Sequence, residues 1–184
     1  MALSSSFATE LWQGFTTDMD YKQTIEKIEE KFGIKKIHNQ DVKFITKFPD
    51  GEMIYSDSTY SSHNGYFCEI EKNGIHAIIV YFFNNKLYSI GIFYFADKDV
   101  LYKRFSENYG KPKAFTYYDY LLEENITLNY WEKNNVISIL RVQHISYTDI
   151  VTKKKIFDEA NAKRTERARE EAKEKEKNNN SILF

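Results

Sequence analysis

Cysteine, proline and glycine are all scarce in this 184-residue chain, and each shortage excludes something. The single cysteine, Cys68, rules out an internal disulfide, and no Cys-x-x-Cys or Cys/His cluster surrounds it. Seven glycines form no phosphate-cradling loop and no dinucleotide fingerprint. The four histidines, His38, His63, His76 and His144, never fall two, three or four positions apart, so no local metal-ligand spacing exists. Neither Gly-x-Ser-x-Gly nor His-Glu-x-x-His is present. No run approaches the roughly 18 apolar residues of a membrane-spanning helix. A net charge of −1 and a pI near 6.4 do not fit a nucleic-acid binder, which is usually strongly basic on one face. Catalysis, cofactor, metal, nucleic acid and membrane span all go unsignalled.

What the chain does have is aromatic strand material, with 14 Phe, 14 Tyr and 2 Trp. Ile75–Phe83 is apolar on both faces, as expected of a central strand covered on each side. Asn84-Asn85 turns it into a second strand, Leu87–Phe95. A helix follows from about Asp97, with Leu101, Phe105 and Tyr109 on its buried stripe, and Gly110 and Pro112 end it. An earlier helix has the stripe Tyr21, Ile25, Ile28 and Phe32, capped by Thr17 or Asp18 and closed by Gly33. Further strands are expected at Val42–Phe48, Glu52–Ser56, Tyr66–Glu71, Lys113–Leu122, Ile126–Trp131 and Val136–Gln143. His76 reads as a hydrogen-bonded structural residue of the central strand. His63 falls in the polar stretch Ser56–Gly65, read as the longest loop.

These elements predict an α+β fold. An antiparallel sheet of about six to eight strands carries two packed helices, followed by a charged C-terminal helix. The two helices share Asp at the start and Gly at the end, which points to a tandem helix-plus-sheet repeat with halves 11–95 and 96–150. Residues 1–10 read as a disordered N-terminus or as the stub of a secretion signal, the latter because Ser6-Phe7-Ala8 has the small-x-small form of a cleavage site. Residues 151–184 form the charged helix and tail. Charge shifts there too: 16 basic against 20 acidic residues through Thr152, then 10 against 7 from Lys153 onward.

Several of these segments together resemble a family. The approach Leu11-Trp12-Gln13-Gly14-Phe15-Thr16-Thr17, the strand–Asn-Asn-Lys-Leu-Tyr–strand unit, the helix ending Tyr-Gly-Lys-Pro and the later Trp strand are similar to those of small exported bacterial proteins. Some of these have the helix-on-sheet fold of the small lipoprotein of the outer-membrane assembly machine and of the beta-lactamase-inhibitor protein. The resemblance spans roughly Leu11 to Gln143 and rests on capping and turn residues; a lipobox cysteine is missing. It implies a periplasmic or otherwise exported protein that binds another protein, and it assigns no functional residue.

The richest candidate surface is Phe115-Thr116-Tyr117-Tyr118-Asp119-Tyr120 with Tyr130-Trp131 on the next strand. Tyr and Trp dominate binding hot spots, which makes Tyr117, Tyr118, Tyr120 and Trp131 the candidate contacts with a protein partner. Cross-strand packing accounts for the same residues without a partner. The alternative function is a small-ligand or lipid-like binding protein with an aromatic pocket between helices and sheet. An open cavity of about 300 Å³ or more would favour it, and a filled core would remove it.

Overall fold

A computed structural model describes residues 8–39, 45–50, 53–55, 63–70, 74–119 and 122–181. An N-terminal hairpin, β1 (Glu10–Trp12) and β2 (Phe15–Thr16), precedes α1 (Tyr21–Phe32). Then come β3 (Ile34–Asn39), the small hairpin β4 (Ile45–Lys47) and β5 (Met53–Tyr55), β6 (His63–Ile70), β7 (Ile75–Phe83) and β8 (Lys86–Tyr94). The second half holds α2 (Lys98–Tyr109), β9 (Lys113–Asp119), β10 (Glu124–Lys133), β11 (Val136–Leu140), β12 (His144–Asp149) and α3 (Ile150–Ser181). The fold is α+β, as the sequence pattern predicts.

Eight strands form one antiparallel sheet in the order β3-β6-β7-β8-β12-β11-β10-β9. Read from either edge, this is a four-strand meander preceded in the chain by a helix, and β8 meets β12 at the centre. Equal helices strengthen the correspondence. Tyr21–Phe32 and Lys98–Tyr109 both have 12 residues, and buried Thr24 and Ile28 match buried Leu101 and Phe105. Each helix ends at a glycine with positive φ, Gly33 at 69° and Gly110 at 83°.

The hairpin chemistry is local. Asn84-Asn85 and Asn134-Asn135 all have φ between 50° and 63°, and asparagine tolerates that region better than most residues. Gly91 and His144 meet at the central junction, where a Cβ on Gly91 would overlap the His144 ring. That ring instead stacks on Phe93 at 4.4 Å.

Two apolar clusters cover the two faces of the sheet. On one face Ile28, Phe32, Leu101 and Phe105 from the helices meet Ile78, Val80, Ile90 and Ile92. On the other, Phe48 and Ile156 meet Phe83, Tyr88, Ile137 and Ile139. Ile75–Phe83 is thus covered on both sides, as a continuous apolar strand requires. Lys153 fastens the second layer: its buried ammonium pairs with Asp50 and lies 4.3 Å over the Phe48 ring. Asp149 begins α3 by accepting the Thr152 N–H at 2.7 Å.

Some expectations move. The cap of α1 is Asp20, not Thr17 or Asp18, in a capping box with Gln23. The Leu11–Thr17 approach is itself a hairpin, and β12 is a strand that the sequence pattern did not predict. His76 is exposed against Phe95 rather than held in the core. His63 begins β6 instead of lying in a loop, with its side chain outside the described residues. The rest of Val42–Phe48 and Glu52–Ser56 lies partly outside them as well.

Candidate functional site

Tyr117, Tyr118, Tyr120 and Trp131 do not come together as one surface. Trp131 is buried, and its Nε1 donates to the Gly110 carbonyl at 2.7 Å, tying the end of α2 to β10. Tyr117 pairs with Ile126 and Tyr118 with Asn125, so the two tyrosines face opposite ways. Tyr117 packs into the second cluster, whereas Tyr118 is 43% exposed on the helix side. Tyr120 lies outside the described residues. Adjacent tyrosines on a strand are divided by the pleat, and the tryptophan is taken by the core.

The structure places a different group of side chains around a cavity of about 480 Å³ on the helix face, where the β1–β2 turn, the end of α1 and α2 converge. Hairpin β1–β2 is wedged over the centre of the sheet and packs on β8 and β12. Its Trp12 stacks on Phe32 of α1 at 5.4 Å and lies 6.3 Å from Tyr147 of β12. Phe105 and Leu101 close the side formed by α2, and Ile75 closes the base. Along α2, Arg104 and Asn108 are one turn apart and both line the mouth. Opposite them, Gln13 and Gly14 make the β1–β2 turn with φ of 44° and 82°. That turn is held to α1, since Lys31 Nζ donates to the Gln13 carbonyl at 3.2 Å and Lys27 Nζ donates to the Gly14 carbonyl.

Polar chemistry inside the cavity comes from three tyrosines. Tyr94, Tyr109 and Tyr147 all line it. Tyr147 is 1% exposed, and its hydroxyl meets that of Tyr109 without reaching good hydrogen-bond geometry. A buried hydroxyl left wholly unsatisfied would cost about 1–3 kcal/mol, so a weakly satisfied one leaves room for a better partner. Burial pushes the Tyr147 phenol far above its usual pKa, and the neighbouring hydroxyls of Tyr109 and Tyr94 push it further. Tyr94 is raised to about 12 by burial and by Tyr109, with Arg104 opposing the shift. The Tyr147 and Tyr94 hydroxyls are therefore neutral near pH 7 and can donate.

Two other places on the sheet carry less chemistry. A wider, shallower groove of about 700 Å³ runs between α1 and β3, with Ile25, Ile34 and Ile37 beneath Glu26, Glu29 and Glu30. It holds no buried orphan polar atom. On the opposite face of the sheet, His38 Nε2 lies 2.8 Å from Glu69 Oε1, and that hydrogen bond lowers the Glu69 pKa. The pair is about two-fifths exposed, with no enclosing cleft. Among the described residues no three His, Cys, Asp or Glu side chains are grouped to hold a metal ion. Burial raises the Cys68 thiol to about 12, leaving it unreactive in the core.

No family model, no curated protein and no solved structure matches this chain. The cavity therefore has to carry the functional argument alone. Sequence reasoning did not mark its residues because Trp12, Arg104 and Tyr147 come from three distant segments. Only Arg104 and Asn108 share a legible spacing.

Proposed function

We propose that the protein binds a small molecule, without transforming it, in the cavity enclosed by the β1–β2 hairpin, α1, α2 and the sheet. The observation that carries this reading is the Tyr147 hydroxyl, buried beside an open cavity with only a poorly aligned contact to the Tyr109 hydroxyl. A ligand group that accepts its hydrogen bond would relieve a penalty the free protein bears. The volume lies within the usual range for small-molecule sites, roughly 300–1,000 Å³. The lining also favours binding over catalysis. It contains no Ser, Cys, His, Asp, Glu or Lys, so a nucleophile–base pair is missing from the wall. Tyrosines with raised pKa values do not exchange protons near neutrality.

A fragment library screened against the full ¹⁵N-labelled chain tests this directly. The expected result is a set of compounds whose shift changes centre on Trp12, Tyr109 and Tyr147. Asn108→Trp, an exposed substitution that fills the mouth, should abolish those changes while the remaining spectrum stays folded. A library that leaves these amides unmoved, or one that moves them equally in Asn108→Trp, would sink the proposal.

A further inference from the structure

We infer that the ligand of this cavity is a small organic anion, a flat apolar body carrying one carboxylate. This rests on the small-molecule reading above and narrows it. Among the lining residues Arg104 is the single charged side chain, and no Asp or Glu stands with it. Nor does any described carboxylate form an ion pair with Arg104. A guanidinium presents a planar fork of donors that fits a carboxylate with two parallel hydrogen bonds. Arg104 is exposed at the mouth of the cavity, where its guanidinium can turn onto a bound carboxylate.

The remaining polar groups, Gln13 included, can all donate to an anion although each can also accept. Tyr147, Tyr94 and Tyr109 offer hydroxyl donors, and Asn108 offers its amide N–H groups. The site is therefore rich in donors and has a single positive charge. A dianionic phosphate is better served by several cations or a nest of backbone N–H groups, neither of which lines the cavity.

The apolar half of the site sets the shape of the ligand. Trp12 and Phe32 stack with their planes 15° apart and their centroids 5.4 Å apart. Phe105 stacks on Tyr109 at 6.0 Å on the α2 side. Walls built from ring faces favour a flat, aromatic body. The carboxylate would accept from Arg104 and from the tyrosine hydroxyls, Tyr147 among them, while the flat body lies along the aromatic walls.

Calorimetry on the full chain with matched pairs tests the inference. The probes are benzoate, 3-phenylpropionate and indole-3-acetate, each beside the amide or alcohol of the same shape, with inorganic phosphate as the bare anion. At least one carboxylate should bind at least about tenfold more tightly than its neutral twin, and phosphate should not bind. Arg104→Gln should erase that preference, Arg104→Lys should restore part of it, and Tyr147→Phe should weaken the carboxylate severalfold without unfolding the chain. Neutral twins that bind as well as the acids, with no response to Arg104→Gln, would overturn the anion inference and leave the small-molecule reading standing. Tighter phosphate binding would overturn the choice of carboxylate. If no probe binds and the fragment library also moves no cavity amide, both readings fall.

Discussion

The two halves of the sheet share an architecture and use it in opposite ways. In the first half the outer strands turn their apolar residues toward the helices. Ile34, Tyr66, Cys68 and Ile70 pack under α1, where Tyr21 meets Tyr66 at 4.4 Å. In the second half the outer strands turn theirs the other way. Phe115, Tyr117, Ile126, Leu128 and Tyr130 join the cluster around Phe48 and Ile156, leaving Thr116 and Thr127 hydrogen-bonded on the exposed helix side. A helix followed by a four-strand meander thus buries its outer strands under α1, apart from the shallow groove beside β3, and leaves those beside α2 facing the other way. The cavity is the consequence. It lies where α2 and the N-terminal hairpin face each other over the sheet.

The strongest way to break this comparison is to delete one core residue from each helix. Phe105→Ala removes a cavity wall that also supports Trp131, 6.1 Å away, and should cost about 3–5 kcal/mol. Ile28→Ala, at the matching position of α1, should cost about 2–5 kcal/mol. Urea melts measure both. The sharper arm is binding by the folded fraction: lost in Phe105→Ala and kept in Ile28→Ala. Equal loss in both would mean that the cavity belongs to the whole helix layer and not to α2.

Acid offers a second contrast, because the junction between the halves holds an imidazole stacked on Phe93. Burial first, and Arg141 second, lower the His144 pKa from 6.5 to about 3. The unfolded chain takes up a proton below about pH 6.5, whereas the folded chain does not until about pH 3. Stability from this group is therefore complete above pH 6.5 and falls as the pH drops, by at most about 1.4 kcal/mol per unit. His144→Phe keeps a flat ring over Gly91 and should remove that part of the slope. An unchanged slope between pH 7 and 4.5 would show that the junction is open to water.

Which parts were legible follows from where the determining forces act. Ile75–Phe83, its Asn-Asn turn and the Asp97–Gly110 helix were legible because period, capping and turn chemistry act over a few residues. β12 was not, since His144-Ile145-Ser146-Tyr147-Thr148-Asp149 mixes polar and apolar residues and follows β11 after only three residues. Its place beside β8 is decided by long-range pairing, including Ser89 with Thr148 at 2.9 Å. Tyr147 was hidden for the same reason. Trp131 misled in the opposite direction: tryptophan suits interfaces and cores alike, and only the position of α2 above it selects the core. The site was the least legible part, because it depends on two helices and a hairpin meeting over a strand that the sequence did not announce.

The smallest expected effect tests the helices at their starts, where they look most alike. Both have Asp at the N-cap, yet Asp20 accepts the Gln23 N–H at 2.9 Å while Gln23 accepts the Asp20 N–H in return. Asp97 makes no side-chain cap bond. Asp20→Ala should therefore cost about 1 kcal/mol and Asp97→Ala only a few tenths, the residue of a weak dipole term. The asymmetry has a physical reason beyond the caps. α1 is pinned at both ends, by its box and by the Lys27 and Lys31 bonds to the β1–β2 turn, whereas α2 is held chiefly by Leu101, Phe105 and the Trp131 bond at its far end. A helix fixed at one end can adjust over a ligand at the other side of its first turns, where Leu101 and Arg104 line the cavity. Hydrogen exchange would read this directly, with the amides of the first turn of α2 exchanging faster than those of α1 and slowing when a ligand binds. Equal protection in the two helices would remove the mechanical difference and leave the cavity as a rigid slot.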